Sequence, residues 1–431
     1  MKPAAVFAVV SAVFAATLGV VLLAQEQQGF MQSFNSPAIE YYQGAKTDAV
    51  TQLVKKLQDG TARLAFNPQN GYLLSVLKAL DVPLDSQVAV YSKTSFQSSL
   101  ISRKDPRVIY FNDHVAVGWV RGGAMEVAAQ DPRQGVMFYE LAQTPDKPVF
   151  RRVTACLQCH VSWPTYGVPG MMVMSTGPDD AQGYATGGVT DDTTPFAQRW
   201  GGWYVTGRPG PMRHMGNVPV EMPIASRPKH PPVLASLKGQ IDLEGYPTPY
   251  SDIVALMVLE HQTRMMNLLT YIGWQARVDA YQAKTSRTIL SGPHLVEAPS
   301  DVRQIARTLA DYMLFVDEAP LPGPVEGSSG FEQRFAAEGP FDGHGRSLRQ
   351  FDLHHWLMKY PCSYMIYSAA FDDLPAMAKR AVYQRMWEIL AGQTSDPRYH
   401  RRLTLADRQA VVQILRATKK DLPEYYQNVI R

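Results

Sequence analysis

The chain has 431 residues, 45% hydrophobic and 19% charged, a balance that describes a folded globular protein rather than a disordered one. Its 42 Lys and Arg against 39 Asp and Glu leave a formal charge of +3, and the basic residues are scattered rather than striped, which excludes the electrostatic footprint of a nucleic-acid binder. This length calls for two or more domains by the usual size prior, although one elaborated domain would also accommodate it.

The first element is a continuous run of Ala, Val, Leu, Phe and small residues over 3–24, following the single cation Lys2. A run of that length crosses a bilayer as one helix. It is longer than an ordinary signal-peptide core, and Leu22 with Ala24 makes a poor cleavage site before Gln25, so residues 1–28 are read as an uncleaved signal anchor, with a removed signal as the alternative. The expectation is a single-pass transmembrane helix in the cytoplasmic membrane, with the globular part in the periplasm.

Residues 29–150 form the next unit. Over 36–80 the pattern is mixed helical, with apolar residues at helical spacing in 48–57. Over 86–143 the runs 88–91, 108–111, 115–120 and 135–141 are short, β-branched or aromatic, and broken by Asn112-Asp113 and Gly122-Gly123. They predict an antiparallel sheet. Residues 151–230 are a Gly- and Pro-rich loop region with one further strand candidate at 201–206, and 231–431 turns helical, with 3.6-period apolar faces over 252–283, 301–315, 374–390 and 406–418. The predicted class is α+β: an antiparallel β-rich N-terminal half carrying the motif segment described next, then a mostly α-helical C-terminal half.

That segment is Cys156-Leu157-Gln158-Cys159-His160. Two thiols and an imidazole at this spacing are what covalent attachment of one c-type haem needs: the sulfurs add to the two vinyl groups and His160 reaches the iron from one side. Two other readings compete. Half of a zinc site lacks ligands, since Cys362 is the only other thiol. A thioredoxin-like dithiol wants the motif at a helix start after an apolar strand, and 150–155 is a weak strand.

The second axial ligand decides whether such a haem carries electrons or does chemistry. His214, in the Gly- and Pro-bounded loop 210–217, is the favoured metal ligand; Met171, Met172, Met174, Met212 and Met215 compete, as does an open site. Arg199 or Arg213 would pair a propionate and Trp203 would pack on the ring, because buried carboxylates want charge-assisted partners. The plain alternative is that these aromatics are core and His214 a surface loop imidazole bonded to backbone. His261 beside Met265 and Met266 reads as packing. His354 and His355 are adjacent and poorly placed to share a metal, Cys362 reads as a buried thiol, and the acidic pairs 179–180 and 191–192 lack calcium-loop spacing.

The stretch Cys156 to His160 resembles the attachment motif of c-type cytochromes, and 148–217 resembles, more loosely, large exported monohaem cytochromes of uncharacterised role. The resemblance implies that Cys156 and Cys159 hold one haem c and that His160 is the proximal ligand. The chain departs from small class I cytochromes in having no compact domain of about a hundred residues around the motif and no single downstream Met. Two functions follow as expectations. One is a membrane-anchored electron carrier, relaying single electrons to redox partners or as a subunit of a membrane complex. The other is a haem enzyme, peroxidase-like or small-ligand-binding, with an open distal side where His214 or Arg213 acts.

Overall fold

A computed structural model describes residues 34–145, 147–179, 185–223, 226–286 and 300–430. The expected membrane helix at 1–28 lies outside them, and no helix among the described residues is long and apolar enough to cross a membrane.

The N-terminal half is built on seven antiparallel strands: β1 Val88–Val90, β2 Arg107–Phe111, β3 Val115–Trp119, β4 Met125–Asp131, β5 Gly135–Leu141, β6 Phe150–Arg152 and, from further along the chain, β9 Trp203–Tyr204. Their order is β6-β5-β4-β3-β2-β1-β9, so five successive hairpin-type neighbours are closed at one edge by a distant strand. A separate hairpin pairs β7 Val173–Asp179 with β8 Ala185–Thr190. The sheet thus takes a strand from the loop region after residue 151, and β6 straddles the 150/151 boundary. Three sequence expectations failed here: β4, β7 and β8 were not anticipated. β4 carries Glu126, Ala128, Ala129 and Gln130, residues of poor strand propensity, and it forms because β3 and β5 pair with it on both sides.

Strand alternation gives the sheet two faces. The back face presents Val108, Tyr110, Val117, Trp119, Val127 and Tyr139, buried against α1 Ala49–Gln58 and α2 Leu73–Ala79. Asp48 caps α1, its Oδ1 accepting from the amides of Val50 and Thr51. The front face joins the helical half, with Val88, Phe111, Val136, Phe138 and Trp203 in one core with the long helix α4 Ile253–Ser286.

Helix α4 is buried all round along its first three turns, as expected of a helix at the centre of its layer. Asp252 fixes its start: Oδ1 accepts from the amides of Val254 and Ala255, and Oδ2 from those of Ser328 and Ser329. Against it pack α5 Ser300–Met313, α6 Phe331–Ala337, α7 Ala369–Asp372 and α8 Ala376–Leu390; α9 Arg398–Arg402 and α10 Leu405–Thr418 follow, with α10 on α8. The helices expected over 252–283, 301–315, 374–390 and 406–418 are α4, α5, α8 and α10, and the class is α+β.

Candidate functional site

Leu157–His160 is a single helical turn, α3, entered directly from a short 3-10 segment that ends at Cys156. On a helical turn, residues three and four apart share a side. The C-x-x-C-H spacing therefore turns Cys156, Cys159 and His160 the same way, and all three line one cavity of about 380 Å³. Both thiols are free.

The opposite wall is the front of the sheet, and its residues explain why there is space. Ala116 faces Ala128 across β3 and β4, and Ile109 faces Gly118 across β2 and β3, so the middle of the front face carries almost no side-chain bulk. A Cβ on Gly118 would sit 2.5 Å from Nη2 of Arg107, whose guanidinium lies over that position. Arg107 reaches Glu126 with a 2.6 Å Nη2–Oε2 contact, placing a charge pair in the cavity wall. The Nε of Arg107 is buried and makes no hydrogen bond among the described residues. Phe138, Trp203, and Leu259 and Thr263 of α4 complete much of the enclosure.

The orientation of His160 is over-determined. Its Nδ1 lies 2.8 Å from the carbonyl oxygen of Gly170, and its own carbonyl accepts from the Gly170 amide at 3.0 Å. Gly170 is held in turn from α4: the Asn267 amide accepts from Met171 N at 3.0 Å and donates to Met171 O at 2.7 Å. Only glycine fits there, since a Cβ on Gly170 would come 2.1 Å from Asn267 Oδ1. A carbonyl partner puts the proton on Nδ1 and leaves Nε2 as a lone pair, the arrangement that metal-bound histidines use. Burial lowers the His160 pKa, against the opposing Gly170 hydrogen bond, and favours the neutral ring that ligation needs. The Phe138 ring lies 4.7 Å away, centroid to centroid.

Burial, with Glu126 nearby, pushes the Cys156 thiol up to about 11. A redox-active dithiol needs the opposite shift. A zinc cage is equally unsupported, because no group of three or more His, Cys, Asp or Glu among the described residues is placed to hold a metal ion.

Of the seven residues marked out in the sequence, Cys156, Cys159, His160 and Trp203 line this cavity, and Arg199, Arg213 and His214 do not. Arg199 is almost wholly buried and committed elsewhere: Nη1 bonds Glu260 at 3.0 Å, and Nε and Nη2 donate to the carbonyls of Thr194 and Asp192. A buried guanidinium needs a counter-charge, and Glu260 provides it. Arg213 is exposed. His214 is buried against Trp200, ring centroids 5.3 Å apart, and its Nδ1 accepts from Gly216 N at 3.1 Å. The plain alternative expected a surface loop imidazole bonded to backbone; the backbone bond is present, but the ring is buried rather than at the surface. Trp203 keeps its place, with Nε1 donating to Met174 O at 2.7 Å.

Of the methionines, Met171 and Met172 line the cavity, while Met174, Met212 and Met215 do not. His261 is packed between the rings of Tyr312 and Phe315 and bonded to Asp192 and Ser363, so it serves the helical core. Cys362 is fully buried and burial raises its thiol pKa strongly.

Sequence reading missed Arg107, Glu126, Phe138 and Asn267. A usable signal existed in β3, where Val115-Ala116-Val117-Gly118-Trp119 alternates large and small, marking one packed face and one face kept empty.

No family model matches this chain, and neither curated proteins nor solved structures give a match.

Proposed function

We propose that the chain is an exported, membrane-anchored monohaem c-type cytochrome that relays single electrons, with its globular part in the periplasm and residues 1–28 as its anchor. One observation carries the reading: Cys156, Cys159 and His160 line one cavity while the His160 Nδ1 is bonded to the Gly170 carbonyl. When bound, a haem supplies a one-electron couple at its iron.

The residues divide the work. Cys156 and Cys159 hold the group covalently. His160 offers Nε2, its ring fixed by Gly170 and, behind Gly170, by Asn267. Met171 and Met172, which line the same cavity, would be the candidates for a thioether ligand to such a group. The unpartnered Nε of Arg107 suits a propionate, a role assigned from sequence to Arg199 or Arg213. Ile109, Ala116, Ala128, Phe138 and Leu259 exclude water and lower the local dielectric, which limits reorganisation when charge moves.

The partners fit this picture as redox proteins or subunits of a membrane complex met in the same compartment, with the anchor confining the encounter to the membrane surface. A net charge of +3 gives no strong pull toward nucleic acid.

The test is expression in a host with haem-attachment machinery, followed by a haem stain of the denatured chain and optical spectra with and without carbon monoxide. Covalent haem with a low-spin spectrum indifferent to carbon monoxide supports the carrier. Covalent haem that is high-spin and binds carbon monoxide replaces it with the ligand-handling enzyme. A chain that exits such a host without covalent haem overturns both.

A further inference from the structure

A second and larger cavity, about 650 Å³, opens on the far side of α4, between α4, α5 and α8. It shares no lining residue with the cavity at Cys156. Its walls carry five carboxylates and four guanidinium groups. One carboxylate, Glu318, is answered from outside the cavity by Arg402 at 3.1 Å, and one guanidinium, Arg264, by Asp191, which leaves four carboxylates and three guanidinium groups. Walls carrying both signs suit a ligand bearing one charge of each kind.

Most of these charges answer one another. Arg398 takes Asp311, Asp317 and Asp396, Arg385 takes Glu388 at 3.1 Å and Asp311 at 3.8 Å, and Arg264 takes Asp191. Three buried polar atoms are left over. Asp192 is 3% exposed; its Oδ2 lies 2.8 Å from His261 Nδ1, while its Oδ1 has no hydrogen-bond partner among the described residues. The hydroxyl of Tyr312 and the Nε of Arg385 are buried and unpartnered in the same sense. A buried carboxylate oxygen left without a partner is costly, so this oxygen calls for a donor. Of the chain's own donors, His261 is held between Asp192 and Ser363 and Arg264 on Asp191, which leaves the Tyr312 hydroxyl as the one beside Asp192.

We propose that this cavity binds a small zwitterion of the α-amino-acid type, its ammonium on Asp192 Oδ1 beside the Tyr312 hydroxyl and its carboxylate toward Arg385. Arg307, exposed at the rim and without an ion pair among the described residues, adds a second cation on the carboxylate side. The ring of Phe315 offers the ligand's side chain an apolar surface.

The experiment is isothermal titration calorimetry of the purified full chain with each common L-amino acid, using propylamine and propionate as half-ligands. The expected result is saturable binding of at least one amino acid, at least tenfold tighter than either half-ligand, and weakened at least tenfold by Asp192→Asn and by Arg385→Gln. Should Asp192→Asn fail to fold, Arg385→Gln, on a partly exposed side chain, decides alone. No saturable binding of any amino acid, equal binding of a half-ligand, or undiminished binding by Arg385→Gln overturns the proposal. None of these readouts depends on haem, so this proposal and the cytochrome reading stand or fall separately.

Discussion

The two faces of the seven-stranded sheet share a backbone and differ in what they are for. Behind, Val117, Trp119, Val127 and Tyr139 share one packed core with Leu73 and Val76 of α2. In front, at the neighbouring positions of the same strands, Ala116, Gly118 and Ala128 withdraw their bulk and open a cavity beneath the motif. Alternation lets one strand fill a core on one side and border a cavity on the other, and the size of alternate residues decides which side is which.

The largest effect that tests this contrast is on the front. Replacing both thiols, Cys156→Ala with Cys159→Ala, abolishes haem that survives denaturation, while the far-UV circular dichroism stays as in the wild type. Retention of covalent haem by the double variant sinks the assignment. On the back, Leu73→Ala costs about 2–5 kcal/mol in urea unfolding, the usual loss for a buried leucine, and leaves haem content per folded molecule unchanged. The converse substitution in front, Ala128→Leu, fills the cavity floor and lowers haem content at least twofold. If Leu73→Ala depletes haem as much as Ala128→Leu does, the two faces are not functionally separate.

Asn267→Ala asks whether the clamp on Gly170 matters. It removes the two bonds to Met171, costs about 1–3 kcal/mol, and shifts the midpoint potential of the reduced–oxidised couple, because His160 loses the support behind its carbonyl partner. An unchanged potential with lowered stability makes Asn267 purely structural.

The smallest effect concerns His214, in the layer in front of the sheet. Burial lowers its pKa to about 4, so the folded chain resists a proton that the unfolded chain accepts near pH 6.5. Its contribution to stability is therefore present above pH 6.5 and lost as pH falls toward 4. In His214→Gln the fall in unfolding free energy between pH 6.5 and pH 4.5 becomes shallower than in the wild type. An identical slope rejects burial of a neutral imidazole.

Much of this was legible beforehand. The helices α4, α5, α8 and α10 announced themselves by periodicity, and the strands β1, β2, β3 and β5 by β-branched and aromatic runs between turn residues. Strand β4 did not, because Glu126, Ala128 and Ala129 are poor strand formers that pairing on both sides overrides. Two of these poor strand formers, Glu126 and Ala128, line the cavity, so residues that hid the strand also hid the site.

The sequence by itself determined what is local: the class, the helices, and a motif whose five-residue spacing turns two thiols and an imidazole to one side, because a single helical turn is short-range geometry. Only the tertiary structure decided what those groups face. Gly170, ten residues from His160, is fastened through Met171 by Asn267, 96 residues beyond Met171, and Arg107 meets Glu126 across three strands. Arg199 and His214, attractive as charge and ring near the motif, went to Glu260 and to the Gly216 backbone, since a buried charge or imidazole goes to the partner that the packing brings within reach. Spacing along the chain sets a turn of helix, but which polar group satisfies which is settled when the sheet and α4 close on each other.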